Sequence, residues 1–127
     1  LNNYLIVALG ASIGGIARYW LSNAVYKFLP AFFPFGTLAV NVIGSFIIGI
    51  IIFYLDAKEI ISPELKIFLT VGFCGGFTTF STFSLETLNL MRDSEFLLAF
   101  VNAAANVLLS LLGIFLALLT AKYLTGE

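Results

Sequence analysis

The chain has 127 residues, 61% of them apolar, with only six basic and seven acidic side chains. A soluble domain carries roughly a quarter of its residues charged, and one this small has too much surface to hide so much apolar area. The bilayer is therefore the solvent, as the mean hydropathy of +1.07 also indicates. The absence of histidine and the single Cys74 argue against a disulfide framework and against a thiolate or imidazole metal site. A net charge of −1 offers no basic field for nucleic acid.

A spanning helix needs about 20 mostly apolar residues, which leaves room for four spans in one domain covering residues 1–127. Residues 1–17 carry no charge, and the first span runs past Arg18 to about Leu21. It lacks the positive leader and cleavage site of a secretory signal, so it reads as a retained span. Ser22 to Pro34 holds Lys27, two prolines and several aromatics, which predicts a re-entrant turn or interfacial segment. The second span is expected from Phe35 to Leu55. Asp56 to Lys66, with five charges and Pro63, reads as a water-exposed loop. A third span runs from Ile67 toward Met91, a charged turn follows at Arg92 to Glu95, and Phe96 to Ala121 forms the fourth.

Four spans put the N-terminus, the Asp56–Lys66 loop and the C-terminus on one side, with Lys58, Lys66 and Lys122. The other side holds Lys27 and Arg92, plus Arg18 near the end of span one. A balance of three against three selects no orientation under the positive-inside rule. It permits insertion both ways round, and hence an antiparallel dual-topology homodimer.

Three stretches break the apolar pattern. Thr37, Asn41 and Ser45 recur every four residues in span two, one face of a helix. Asn102, Asn106 and Ser110 repeat that spacing in span four. A buried amide at membrane depth needs partners, so each stripe faces protein as interhelical glue or lines a water-filled path. The third stretch, Gly72 to Glu86 (GFCGGFTTFSTFSLE), sets three glycines and two threonines in the middle of span three. That is a poor helix interior, and it predicts a break of the kind that binds ions at mid-membrane. Beyond it, Phe77, Phe80 and Phe83 alternate with Thr78, Thr79, Ser81, Thr82 and Ser84, an alternation lipid contact alone does not require. Arg18 and Glu86 are the two ionisable residues at membrane depth and so candidates by default. Arg18 is close enough to a span end to snorkel; Glu86 could pair with an arginine, accept from a hydroxyl, or carry a proton. Gly10 to Gly14 and Gly72 to Gly76 both fit the spacing of tight helix packing.

GGIARYW, GTLAVNVIG and GFCGGFTTFSTFSLE, in that order over four short spans, resemble the Fluc (CrcB) family of bacterial fluoride channels, and the resemblance covers essentially the whole chain. It implies an all-α membrane protein of the bacterial inner membrane, with a broken third helix. It further implies an antiparallel dual-topology homodimer with two fluoride-selective passive pores, a structural sodium ion at the dimer centre, and fluoride resistance as the role. By motif, Phe80 and Phe83 resemble the pore phenylalanines, Asn41 the pore asparagine, and Ser110 the pore hydroxyl of span four. Gly75 and Thr78 resemble the residues whose backbone carbonyls bind sodium. Thr37, Ser81 and Thr82 sit beside these positions as added polar lining. Asn106, Arg18 and Glu86 remain further candidates.

The residue chemistry suits that reading. Amides and hydroxyls replace the water of a small, strongly hydrated anion, phenyl rings present positive edges, and conduction requires weak, multi-site binding rather than a fixed cation. Proton-coupled fluoride exchange through Glu86 is the nearest rival. A four-span cation exporter lacks its first-span acid here, since residues 1–17 contain none. A non-transporting assembly subunit would use the polar stripes only as glue. Nothing in the chain resembles a nucleophile–base pair, so no enzymatic activity is expected.

Overall fold

The computed structural model describes residues 2–127, and these are helical apart from short connections. Helix α1 spans Asn3–Val25; Asn2 caps it, its side-chain oxygen accepting from the Tyr4 and Leu5 amides at 2.7 and 3.3 Å. Helix α2 spans Phe35–Asp56. Helix α3 covers residues 63–77, α4 spans Phe80–Arg92 and α5 spans Phe96–Thr125. Four helical runs, with α3 and α4 together forming the third, are long and apolar enough to cross a membrane.

The ends of these elements differ from the sequence expectation in three places. Ser22 to Val25 continue α1, so the connecting segment begins only at Tyr26. Small Ser22 fits there against Gly36 at the start of α2, whose amide donates to the Tyr26 hydroxyl at 3.1 Å. Phe32, Phe33 and Phe35 cluster beside it, with ring centroids 4.9–6.5 Å apart. Residues 63–66 are helix rather than loop, because Ser62 caps the Leu65 amide at 3.1 Å and Pro63 takes the first helical position. Helix α5 runs on to Thr125, past Lys122, until Gly126 at φ 76° ends it.

Two close contacts set the bundle. Helices α1 and α3 meet through their glycines: a Cβ at Gly72 would lie 2.9 Å from the Gly10 Cα, and one at Gly76 would lie 2.6 Å from the Ala11 carbonyl oxygen. The two G-x-x-x-G segments thus face each other, and bare backbone is what permits the approach. Helices α2 and α5 form the other pair, with Gly49 against Ala117 and Gly113 under the Val42 carbonyl. Val40 and Ala117 are wholly buried there.

The third run is not regular along its length. Residues Phe68–Cys74 form a wide, π-type turn, and Ile51–Asp56 close α2 in the same way. At Thr78 (φ −89°, ψ 162°) and Thr79 (φ −151°, ψ 121°) the backbone is extended, separating α3 from α4. Thr79 then caps α4, its hydroxyl accepting from the Thr82 amide at 3.2 Å.

Candidate ion pathway

A cavity of about 440 Å³ opens where α2, α3, α4 and α5 meet. Asn41, Phe80, Phe83, Asn106 and Ser110 all line it, so candidate residues from three separate helices converge there. Its lining includes no lysine and no arginine. The Phe80 and Phe83 rings lie 5.4 Å apart, tilted by 26°. Phe80 is 68% exposed on the single chain, so the cavity opens toward the bundle's outer surface.

The amides at the cavity wall are fully engaged. Asn41 grips the Thr79 peptide at two points: its Oδ1 accepts from the Thr79 amide at 2.8 Å, and its Nδ2 donates to the Thr79 carbonyl at 3.1 Å. The same Nδ2 donates to Asn106 Oδ1 at 2.9 Å. Asn106 Nδ2 in turn donates to the Asn102 backbone carbonyl at 2.9 Å and to Asn102 Oδ1 at 3.0 Å. Asn102 donates to the Thr87 hydroxyl at 2.9 Å, which donates to the Phe83 carbonyl at 2.7 Å. A continuous chain of hydrogen bonds therefore ties both ends of the Phe80–Phe83 turn to α2 and α5. Asn102 and Asn106 are both buried.

These bonds rearrange the backbone around the extended pair. The Thr79 amide, which in a continuous helix would serve the Gly75 carbonyl, is held by Asn41 instead. The Thr82 amide, the helical partner of the Thr78 carbonyl, is held by the Thr79 hydroxyl. The Gly75 and Thr78 carbonyls thus leave the helical ladder. The Gly76 carbonyl accepts from Arg18 Nε at 3.0 Å, and the Thr78 amide and hydroxyl both donate to the Cys74 carbonyl, at 3.0 and 2.9 Å.

Not every candidate lies at the cavity. Thr37 is buried outside it, adjoining the Glu86 carboxyl. Glu86 Oε1 is shielded from solvent with no hydrogen-bond partner among the described residues. Glu86 forms no ion pair with an arginine: among the described residues the single salt bridge joins Lys66 to Asp56 at 2.9 Å. Arg18 does not snorkel from a span end either; α1 continues seven residues beyond it, and its guanidinium turns inward to Gly76. Ser81 is exposed away from the cavity, and Thr82 hydrogen-bonds to Thr79 rather than lining it. Thr79, Thr70 and Cys74 are lining residues that motif reasoning passed over. A threonine three residues past Gly76, immediately ahead of the Phe80–Phe83 run, fits the N-cap preference for hydroxyl side chains and is the signal that could have drawn Thr79 out.

Residues 5–118 match the family described as CrcB-like protein, Camphor Resistance (CrcB). The chain belongs to that family. A relative from Magnetococcus marinus is 53% identical over 117 residues, covering 91% of this chain and 94% of its own. Relatives from Pelobacter propionicus (48% over 124 residues, 98% of this chain and 96% of the relative) and Pyrococcus abyssi (46% over 124 residues, 96% and 98%) are similarly complete. All three bear the name fluoride-specific ion channel FluC. The match spans all four membrane-capable helices of this CrcB-like chain up to residue 118, and so includes every residue at the cavity wall.

Proposed function

We propose that this multi-pass membrane protein is a fluoride-selective passive channel and not an enzyme. The observation that carries the reading is the convergence of Asn41, Phe80, Phe83 and Ser110 on one cavity without a fixed cation, in a chain whose relatives are named fluoride-specific ion channels. Fluoride gives up strong hydration to enter, and the Ser110 hydroxyl, the Asn41 amide and the positive phenyl edges supply replacement contacts. None of them holds the ion by a full charge, which lets it leave again.

The same reading includes an antiparallel dual-topology homodimer with two pores. The even split of basic residues supports it, as does the exposure of Gly75, Val71 and Phe80 beside the cavity, a surface a second copy would cover. The extended pair Thr78–Thr79 is the functional break of the third span. Gly75 and Thr78 would hold a structural sodium ion through their carbonyls: both have lost their helical partners, and neutral hard oxygens suit a monovalent cation. Two carbonyls from each of two inverted chains would make four ligands. Sodium there would tie the two breaks together and neutralise carbonyl dipoles. Fluoride resistance, by passive release from a bacterial cytoplasm across its inner membrane, is the expected physiological role.

The test is efflux from liposomes holding purified protein, read with fluoride- and chloride-selective electrodes and no proton gradient. Rapid fluoride release, negligible chloride release, and strong slowing by Phe80→Ile are expected. Fluoride movement only under an imposed pH gradient would replace the channel with an exchanger, and silence under both conditions would leave an assembly role.

A further inference from the structure

The amide orientations at the cavity wall are fixed by backbone groups. Asn106 Nδ2 faces the Asn102 backbone carbonyl, which can only accept, so its Oδ1 must be the atom that faces Asn41. Asn41 Oδ1 faces the Thr79 amide, which can only donate, so Nδ2 is the atom turned toward Asn106. Both hydrogens of Asn41 Nδ2 are consequently spoken for, one by the Thr79 carbonyl and one by Asn106 Oδ1. An anion in the cavity gains a hydrogen bond from Asn41 only by displacing one of these two acceptors. The Thr79 carbonyl belongs to the capped backbone of α4. Asn106 Oδ1 belongs to the side chain of a residue that lines the cavity.

We infer that Asn106 is an affinity-setting residue, its carboxamide oxygen an internal competitor of the permeant anion for the Asn41 amide. This rests on the channel reading above. The chemistry follows from the inventory: a neutral amide oxygen is a weaker acceptor than an anion, so it yields when the ion arrives and retakes the hydrogen when the ion moves on. The Asn41 donor is then never left unsatisfied at membrane depth, where an unpaired amide is costly. The ion meanwhile meets a site whose attraction is discounted by the bond it replaces. Asn102 keeps Asn106 pointed at Asn41 by accepting twice from its Nδ2.

The experiment records fluoride current through the full-length protein in planar bilayers over a range of symmetrical fluoride concentrations, yielding a half-saturating concentration and a maximal current. Asn106→Leu keeps the approximate volume and removes the competing oxygen. Its half-saturating concentration is expected to fall by about three- to tenfold, the worth of one neutral hydrogen bond, with a lower maximal current as exit slows. Asn106→Asp keeps an acceptor at Asn41 and makes it anionic, so its half-saturating concentration should rise. Opposite shifts support the competitor. A purely structural role predicts smaller currents at an unchanged half-saturating concentration in both variants, and that result, or a shift in the same direction for both, overturns it. If Asn106→Leu does not fold, Asn106→Ala, which also removes the competing oxygen without adding charge, takes its place, and an unchanged or raised half-saturating concentration in it overturns the competitor. A wild-type protein that carries no fluoride overturns the channel reading itself, and the competitor with it, before any variant is compared.

Discussion

Replacing Asn41 by leucine removes the two-point grip on Thr79 and the bond to Asn106 while nearly conserving volume. Interhelical hydrogen bonds in membranes average about 0.6 kcal/mol and reach about 1.7, so three together come to about 2–5 kcal/mol. The upper part of that range is favoured because the Thr79 amide loses its partner in an extended segment, where no helical carbonyl stands ready to replace it. Ser45→Ala is the matched comparison. It lies one turn along the same helix face, and its hydroxyl donates only to the Asn41 carbonyl of its own helix, at 2.8 Å; its cost should stay within about 0.5 kcal/mol. Unfolding in mixed micelles by added sodium dodecyl sulfate, followed by circular dichroism, measures both. Fluoride flux at matched protein should fall for Asn41→Leu. Equal stability losses in the two variants would refute the claim that Asn41 holds the extended pair.

Further outcomes follow from the same contacts. Gly76→Ala should destabilise the α1–α3 contact by about 1–3 kcal/mol, since its Cβ meets the Ala11 backbone, whereas Gly15→Ala, with nothing within 4 Å, should be neutral or gain up to about 1 kcal/mol of helix propensity; both are read in the same micelle titration. Ser94, at φ 59° after α4, holds a left-handed turn in which the Glu95 amide reaches the Leu90 carbonyl at 2.8 Å. Ser94→Gly should therefore raise the thermal midpoint, being worth about 1 kcal/mol, and a lowered midpoint would contradict this. Arg18→Leu should abolish flux by freeing the Gly76 carbonyl, and Arg18→Lys should restore little of it in liposome efflux, because an ammonium does not reproduce the Nε donor.

Composition and hydropathy were enough for four spans, because a chain with so few charges has no other place to put its apolar surface. The glycine spacings also translated directly into the α1–α3 contact, since only bare backbone packs that closely. Element ends were less legible. Ser22 and Asn23 look like loop residues, yet they stay helical while neighbouring turns supply their backbone bonds. Ser62–Pro63 looks like the middle of a loop and is a helix start. The four cavity residues Asn41, Phe80, Phe83 and Ser110 were reachable only through motif resemblance, since spacing alone put Thr37 and Ser81 on an equal footing with them. Which amide bonds which carbonyl depends on the depth at which two helices cross, and no single-helix periodicity encodes that. The inward turn of Arg18 belongs to the same class.

The contacts at residues 75–79 explain how a non-helical pair survives at membrane depth. An interruption there exposes carbonyls and amides that lipid cannot satisfy. Three different devices answer that cost: Arg18 reaches in from α1 to the Gly76 carbonyl, Asn41 from α2 grips both sides of the Thr79 peptide, and the Thr79 hydroxyl caps the start of α4. Each takes a group out of circulation, and the Gly75 and Thr78 carbonyls are left outside the ladder by the very bonds that secure their neighbours. Those two are the atoms the proposed sodium ion would take. Gly75 and Thr78 line the same cavity as Asn41, Phe80 and Phe83, so replacing Asn41, which holds the Thr79 peptide beside them, should disturb both the break and the fluoride flux together.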